Sequence, residues 1–205
     1  MDFSCRRDFL KVYSVKLGVF VFSKFFFAVA FFSVITLSHS HPHLFIKSGI
    51  EFVENETSVT GIRVQWSWDS YWSADVIAGC DTDRNGVLSD KEVKAVFTDF
   101  FDGIKEFNYF MELHVNGKKT PIKSITNFHA QIESDKTVTY FFTIPFTTGN
   151  IPLNTLKVGF NDDTIYVAFD KNLKVSNGTL YGFSDMTIGT FGYYGFSASF
   201  NINKM

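Results

Sequence analysis

Between residues 81 and 92 the chain reads Asp81-Thr82-Asp83-Arg84-Asn85-Gly86-Val87-Leu88-Ser89-Asp90-Lys91-Glu92, with side-chain oxygens at positions 1, 3, 5, 9 and 12 of the twelve. Few local patterns restrict a fold so much. The acidic residues must converge, Gly86 at position 6 must let the backbone reverse, and Leu88 at position 8 must turn toward an apolar neighbour. The spacing is that of an EF-hand loop, and its donors are those a hard cation such as Ca²⁺ selects. Asp81, Asp83 and Asn85 offer side-chain oxygens, Val87 its carbonyl, Ser89 a hydroxyl or bound water, and Glu92 a bidentate carboxylate. The competing reading is a polar Asp/Asn/Gly turn between two helices that holds no ion.

The flanks agree with a helix, a loop and a helix. Residues 70–80 carry Trp72, Val76 and Ile77 at helical spacing, and residues 91–107 place Val93, Val96, Phe97, Phe100, Phe101 and Ile104 on one broad stripe. On either side the period drops to two. Strands are predicted at 44–53 and 58–68, then at 109–115, 120–125, 127–133, 137–146, 156–160 and 165–169, with one or two more within 187–202. Asn116-Gly117 signals a two-residue hairpin, and Ser134-Asp135 and Asn161-Asp162-Asp163 read as turns. The expected architecture is mainly β, an antiparallel β-sandwich with a helix-loop-helix insertion at about 70–107.

The first forty residues follow another logic. Arg6, Arg7, Lys11, Lys16 and Lys24 precede an uncharged apolar run from Phe25 to Leu37, and Ser38 and Ser40 bracket His39. This is the layout of a signal peptide, residues 1–40, cleaved before His41. It predicts an exported, periplasmic protein with no membrane span after cleavage and a single β-rich domain over 41–205. Arg6-Arg7-Asp8-Phe9-Leu10-Lys11 also resembles a twin-arginine address, so both export routes stay open. Removing that segment takes away five of the 19 basic and two of the 21 acidic residues, leaving 14 and 19 and a formal charge of −5. A mildly acidic domain argues against nucleic acid as a partner. Cys80 is then the lone cysteine, which rules out an intrachain disulfide.

Cleavage before His41 would begin the mature chain His41-Pro42-His43. An α-amine and two imidazoles are borderline nitrogen donors suited to Zn²⁺, Ni²⁺ or Cu²⁺, a set unlike the oxygens of the loop. Pro42 has no amide N–H to lose to a metal. Exposed terminal histidines without a metal are the alternative. His114 and His129 fall on the polar phase of their strands and are expected at the surface. The three tryptophans cluster in Trp66-Ser67-Trp68-Asp69-Ser70-Tyr71-Trp72, either as a sugar-stacking platform or, as the apolar context favours, a buried joint between sandwich and helix. No G-x-S-x-G, P-loop or H-E-x-x-H motif is present, and the chain is not expected to be an enzyme.

In their order along the chain, several of these pieces resemble domain-of-unknown-function family 1007, an uncharacterised bacterial periplasmic family. They are His41 to Ile46, Trp66 to Ser73, Asp81 to Glu92, Phe107 to Phe110, Val115-Asn116-Gly117, and Asn161 to Phe169. The resemblance implies an accessory role beside inner-membrane nickel, cobalt or zinc permeases, with His41 and His43 as the metal-handling element for Zn²⁺, Ni²⁺ or Co²⁺. The chain departs from the family pattern at Lys47, where an acidic residue is usual, and at Ile165-Tyr166, where paired tyrosines are. A calcium-stabilised interaction module with incidental histidines remains the alternative, and a copper oxidase would need a third nitrogen near the terminus.

Overall fold

The strand patterns close into two five-stranded sheets in a computed structural model that describes residues 44–147, 153–162 and 164–205. The strands are β1 (Leu44–Glu54), β2 (Val59–Trp68), β3 (Met111–Val115), β4 (Lys118–Thr120), β5 (Thr126–Ile132), β6 (Val138–Pro145), β7 (Thr155–Phe160), β8 (Val167–Ser176), β9 (Tyr181–Phe191) and β10 (Gly195–Lys204). One sheet has the order β5-β6-β2-β1-β8 and the other β4-β3-β7-β10-β9. All pairs are antiparallel except β1 with β8, which run parallel. The expected mainly-β sandwich is therefore present, with that one parallel edge.

Register puts like with like. In the first sheet Phe52, Ile62 and Ile144 form one row across β1, β2 and β6, and Ile50, Val64 and Phe142 the next. All six are buried. In the second, Leu113, Val158 and Ala198 align across β3, β7 and β10. The two inner faces meet through Phe52 with Phe200, ring centroids 6.2 Å apart, and Phe160 with Phe169, 5.8 Å apart. Period-two alternation thus becomes one apolar layer between sheets.

The helical insertion covers the β5–β6 half of the first sheet's inner face. Its first helix, α1 (Ser70–Cys80), starts at Asp69, whose carboxylate accepts the Tyr71 and Trp72 amides and also the amide of Phe45 in β1. Ser73 Oγ accepts the Val138 amide at 2.8 Å, and Trp72 Nε1 donates to the Tyr140 hydroxyl. The next helix differs from the expectation of one run over 91–107. Regular α-helix α2 spans only Asp90–Val96; a π-helical turn follows at Phe97–Phe101, then a 3₁₀ segment at Asp102–Phe110. Three residues in that last stretch, Asn108, Tyr109 and Phe110, take left-handed φ of 51–54°. The reason lies in the rings: the wider π turn lets both Phe97 and Phe101 reach Phe128 of β5, at 5.2 and 4.6 Å.

Other boundaries shift for local reasons. Asn116 and Gly117 have φ of 50° and 74°, the left-handed pair that a tight type I′ hairpin requires, so β3 and β4 join as expected. The strand expected over 120–125 stops at Thr120 because Pro121 has no N–H to offer a ladder. Where the turn Asn161-Asp162-Asp163 is expected, Asn161 and Asp162 leave the end of β7, Asp163 lies outside the described residues, and the next strand, β8, belongs to the other sheet. Asp162 is buried and gathers the amides of Thr164, Ile165 and Val167 on its carboxylate.

Phe101 is 1% exposed and its ring lies within 6.5 Å of those of Trp66, Phe97, Tyr109, Phe128, Tyr140 and Phe142. Replacing it with alanine should cost about 3–5 kcal/mol, as for other large-to-small core changes. Chemical denaturation checks this; a loss under about 1 kcal/mol would show that the helical segment does not depend on this ring.

Candidate metal centre

The loop from Asp81 to Glu92 is delivered by the ends of α1 and α2. Asp81 caps the C-terminus of α1, its amide donating to the Ile77 carbonyl, and Ser89 begins α2 in a reciprocal capping box with Glu92. In between, the backbone is drawn inward by the acidic side chains. Asp81 accepts the Asn85 amide at 3.2 Å on Oδ1 and the Gly86 amide at 3.0 Å on Oδ2. Asp83 accepts the amide and the side-chain N–H of Asn85, whose own Oδ1 accepts the Val87 amide. Arg84 and Gly86 supply left-handed φ of 58° and 79°. Leu88 is buried while Val87 is exposed, matching the inward role expected of position 8.

The outcome is that one carboxylate oxygen each from Asp81, Asp83 and Glu92 lies within 4.8 Å of the others. Asp81 is 7% and Glu92 5% exposed. Among the described residues, no ion pair reaches any of the three; the ion pairs involve Glu51 and Glu112. The Lys136 ammonium approaches the loop at Gly86, 3.4 Å from where a Cβ on that glycine would sit. Buried carboxylates are normally paired or metal-bound, so this donor set fits a divalent cation.

Glu92 is held in its ionised form. Oε1 accepts the amide and hydroxyl of Thr82, both at 2.7 Å, and Oε2 accepts the amide and hydroxyl of Ser89, at 3.0 and 2.8 Å. These bonds, the Ser89 amide foremost and then the Thr82 hydroxyl, lower its pKa from the ordinary 4.5 to about 2. Bidentate coordination would need the two hydroxyls to rotate aside while the two amides stay. Beneath the loop, burial, then Asp99 and Glu92, push the Cys80 thiol up to about 11, so it stays protonated and unreactive.

Of the donor residues named from sequence, Asp81, Asp83 and Glu92 converge, Asn85 is bonded to Asp83 and Ser89 to Glu92, while Val87 enters the loop's hydrogen bonds through its amide, donated to Asn85 Oδ1. His41 and His43, with the signal segment and its cleavage point, lie outside the described residues. His114 and His129 stand on different sheets. His114 Nε2 is 2.7 Å from Glu112 Oε1, and Lys119 also binds Glu112; His129 stacks on Phe141. Trp66 and Trp68 are buried, and Trp72 stacks on Trp68 at 4.8 Å, so the cluster is the aromatic joint and not a sugar platform. Reading the sequence missed Thr82 and Lys136. Thr82 carried a usable signal, a hydroxyl residue next to Asp81 and ten before Glu92; Lys136 is brought in from a distant turn.

Residues 26–181 match the model of a family described as protein of unknown function, DUF1007. The chain belongs to the DUF1007 family. It is also 35% identical over 104 residues to an uncharacterized 15.5 kDa protein in the trpE 3′ region of Spirochaeta aurantia, covering 48% of this chain and 74% of that protein. The resemblance read from the sequence is thus confirmed, and the match extends past residue 170 to the start of β9. Most of β9 and all of β10 lie beyond the DUF1007 match, although both are strands of the second sheet.

Because the pKa of Glu92 is depressed on folding, its contribution to stability is complete above about 4.5 and is lost as the pH falls through about 2. Melting temperature measured against pH should therefore separate wild type from Glu92→Gln above that window and bring the two together below it. A gap of constant size across the window would contradict the hydrogen-bonded, ionised Glu92.

Proposed function

We propose that the protein is an exported, non-enzymatic divalent-metal-binding accessory component of a transition-metal transport system, stabilised by Ca²⁺. Asp81, Asp83, Asn85, Val87, Ser89 and Glu92 hold the calcium ion as a structural fastener. His41 and His43 take up Zn²⁺, Ni²⁺ or Co²⁺ in the periplasm beside an inner-membrane permease. The observation that supports this best is the convergence of three carboxylates, two of them almost fully buried, with no ion pair to any of them among the described residues. The terminal role rests on the nitrogen donors of His41-Pro42-His43. Among the described residues no helix is long and apolar enough to cross a membrane.

Calcium supplies charge neutralisation here and no chemistry. Its competitor for hard oxygen donors, Mg²⁺, demands a tight octahedral shell near 2.0–2.1 Å and sheds water reluctantly, whereas Ca²⁺ accepts six to eight oxygens with relaxed geometry. A single loop of extracellular type binds Ca²⁺ at about 10⁻⁴ to 10⁻³ M. At a hundredfold excess over that constant the ion stabilises by about 2.7 kcal/mol. For a domain of this size that raises the melting temperature by about 5–10 °C.

Scanning calorimetry of the purified protein with Ca²⁺ and with chelator tests the loop, and Asp81→Asn should abolish the shift. Calorimetric titration with Zn²⁺, Ni²⁺ and Co²⁺ tests the terminus. The His41→Ala, His43→Ala variant should lose at least tenfold in affinity for the cognate ion. A calcium shift with unchanged transition-metal binding in that variant would overturn the transport reading and leave a calcium-stabilised interaction module.

A further inference from the structure

The helical insertion covers the inner face of the first sheet, while the outer face carries a polar groove of about 560 Å³, within the size range of small-ligand sites. Cross-strand register builds its floor. Lys47 of β1 lies opposite Ser67 of β2, and Ser67 opposite Thr139 of β6, the two hydroxyls 3.1 Å apart. Phe45, two residues before Lys47, shares that face and is 54% exposed. The turn before β6 makes the wall and brings Glu133 and Asp135 to the groove. Asp135 is fixed there by accepting the amide and hydroxyl of Thr137, at 3.0 and 2.6 Å. Gln65 lines this groove and also an adjoining hollow of about 180 Å³, which Glu51, Arg63, Phe141 and Lys174 share.

Two groups in the groove are left over by the fold. Among the described residues, the Phe45 ring has no ring contact and the Lys47 ammonium no ion pair. Phe141 is already covered, by the Arg63 guanidinium 5.1 Å from its ring centre and by the His129 ring at 6.4 Å. Trp68, which also lines the groove, is only 4% exposed, so Phe45 is the open aromatic plane.

We propose that this groove binds a neutral oligosaccharide, with one pyranose ring stacked on Phe45 and its hydroxyls shared among Lys47, Gln65, Glu133 and Asp135. A pyranose joins an apolar C–H face to a rim of hydroxyls that both donate and accept. The groove has the matching halves, a bare aromatic plane beside carboxylates that only accept and an ammonium that only donates. Charge narrows the class further. An anion would face Glu133 and Asp135, and a cation would face Arg63 and Lys174 in the adjoining hollow. A peptide strand finds no backbone edge here, because β1, β2 and β6 are each paired on both sides. With two hollows meeting at Gln65, the surface accommodates more than one sugar unit.

Amide-resolved NMR titration of the purified protein with maltotriose, cellotriose, mannotriose and chitotriose is the test. At least one of these neutral trimers should give saturable shifts at Phe45, Lys47, Ser67 and Thr137. Phe45→Ala and Phe45→Leu should each weaken that binding about tenfold, whereas Phe45→Trp should keep it, all three with the wild-type melting temperature. Leucine retains apolar bulk without a ring plane, so its loss separates stacking from general apolar contact. Thr187→Ala, on the second sheet, should bind as the wild type does, and trigalacturonate should bind more weakly than the neutral trimer. Absence of these shifts with all the neutral trimers overturns the proposal. Binding that survives Phe45→Leu, or a preference for trigalacturonate, also overturns it.

Discussion

Everything between β2 and β3 depends on a run of aromatic rings. Trp66 stands at its centre, in edge contact with Phe142 at 5.0 Å and stacked near Phe110 at 6.4 Å, and Phe101 carries the run on to Phe128 at the far edge of the first sheet. These contacts come from five different elements, and each ring buries a large apolar surface while limiting the angle of its neighbours. The helical segment is therefore placed by the sandwich. α1 is tied at its start by Asp69 to β1 and along its length by Ser73 and Trp72 to β6, so Asp81 arrives at a position chosen outside the loop. α2 is fixed the same way through Phe97 and Phe101, and with it Glu92.

This placement has an electrostatic consequence. Two anchored helices bring three carboxylates together, and hydrogen bonds absorb part of the cost. Glu92 is satisfied by four donors, Asp81 by two backbone amides, and Asp83 by Asn85. What the hydrogen bonds leave is concentrated negative charge without an ion pair. A divalent ion held here would join two helices whose positions the core already sets. That favours a fastener over a switch, because a sensor opens by moving its helices and these are held by the core.

Much of this was legible in the sequence, for identifiable reasons. The loop could be read because each of its positions has its own chemical demand, and the sandwich because Ile46 to Phe52 and Ile62 to Trp68 alternate cleanly. The break of the second helix could not, since an apolar stripe from Val93 to Ile104 suits α and π winding equally; only Phe128, distant in sequence, decides between them. The parallel pairing of β8 with β1 was hidden for a similar reason. Asn161-Asp162 signals a turn, and nothing local says that the chain leaves one sheet for the other there. Of the candidate site, the donors were visible and their supporting donors were not: Thr82 has no fixed role in the loop pattern, and Lys136 approaches Gly86 only through the turn before β6.

The proposed calcium role requires Asp81, Asp83 and Glu92 to hold Ca²⁺ between α1 and α2. Amide NMR spectra recorded during a Ca²⁺ titration test it most directly. Saturable shifts are expected only at Thr82, Asn85, Gly86, Val87 and Ser89, whose N–H groups bond the acidic and amide oxygens of the loop, while Val138 and Phe45 stay unmoved. Unshifted loop amides at millimolar Ca²⁺ would contradict the site, and shifts spreading through the sheets would contradict the fastener.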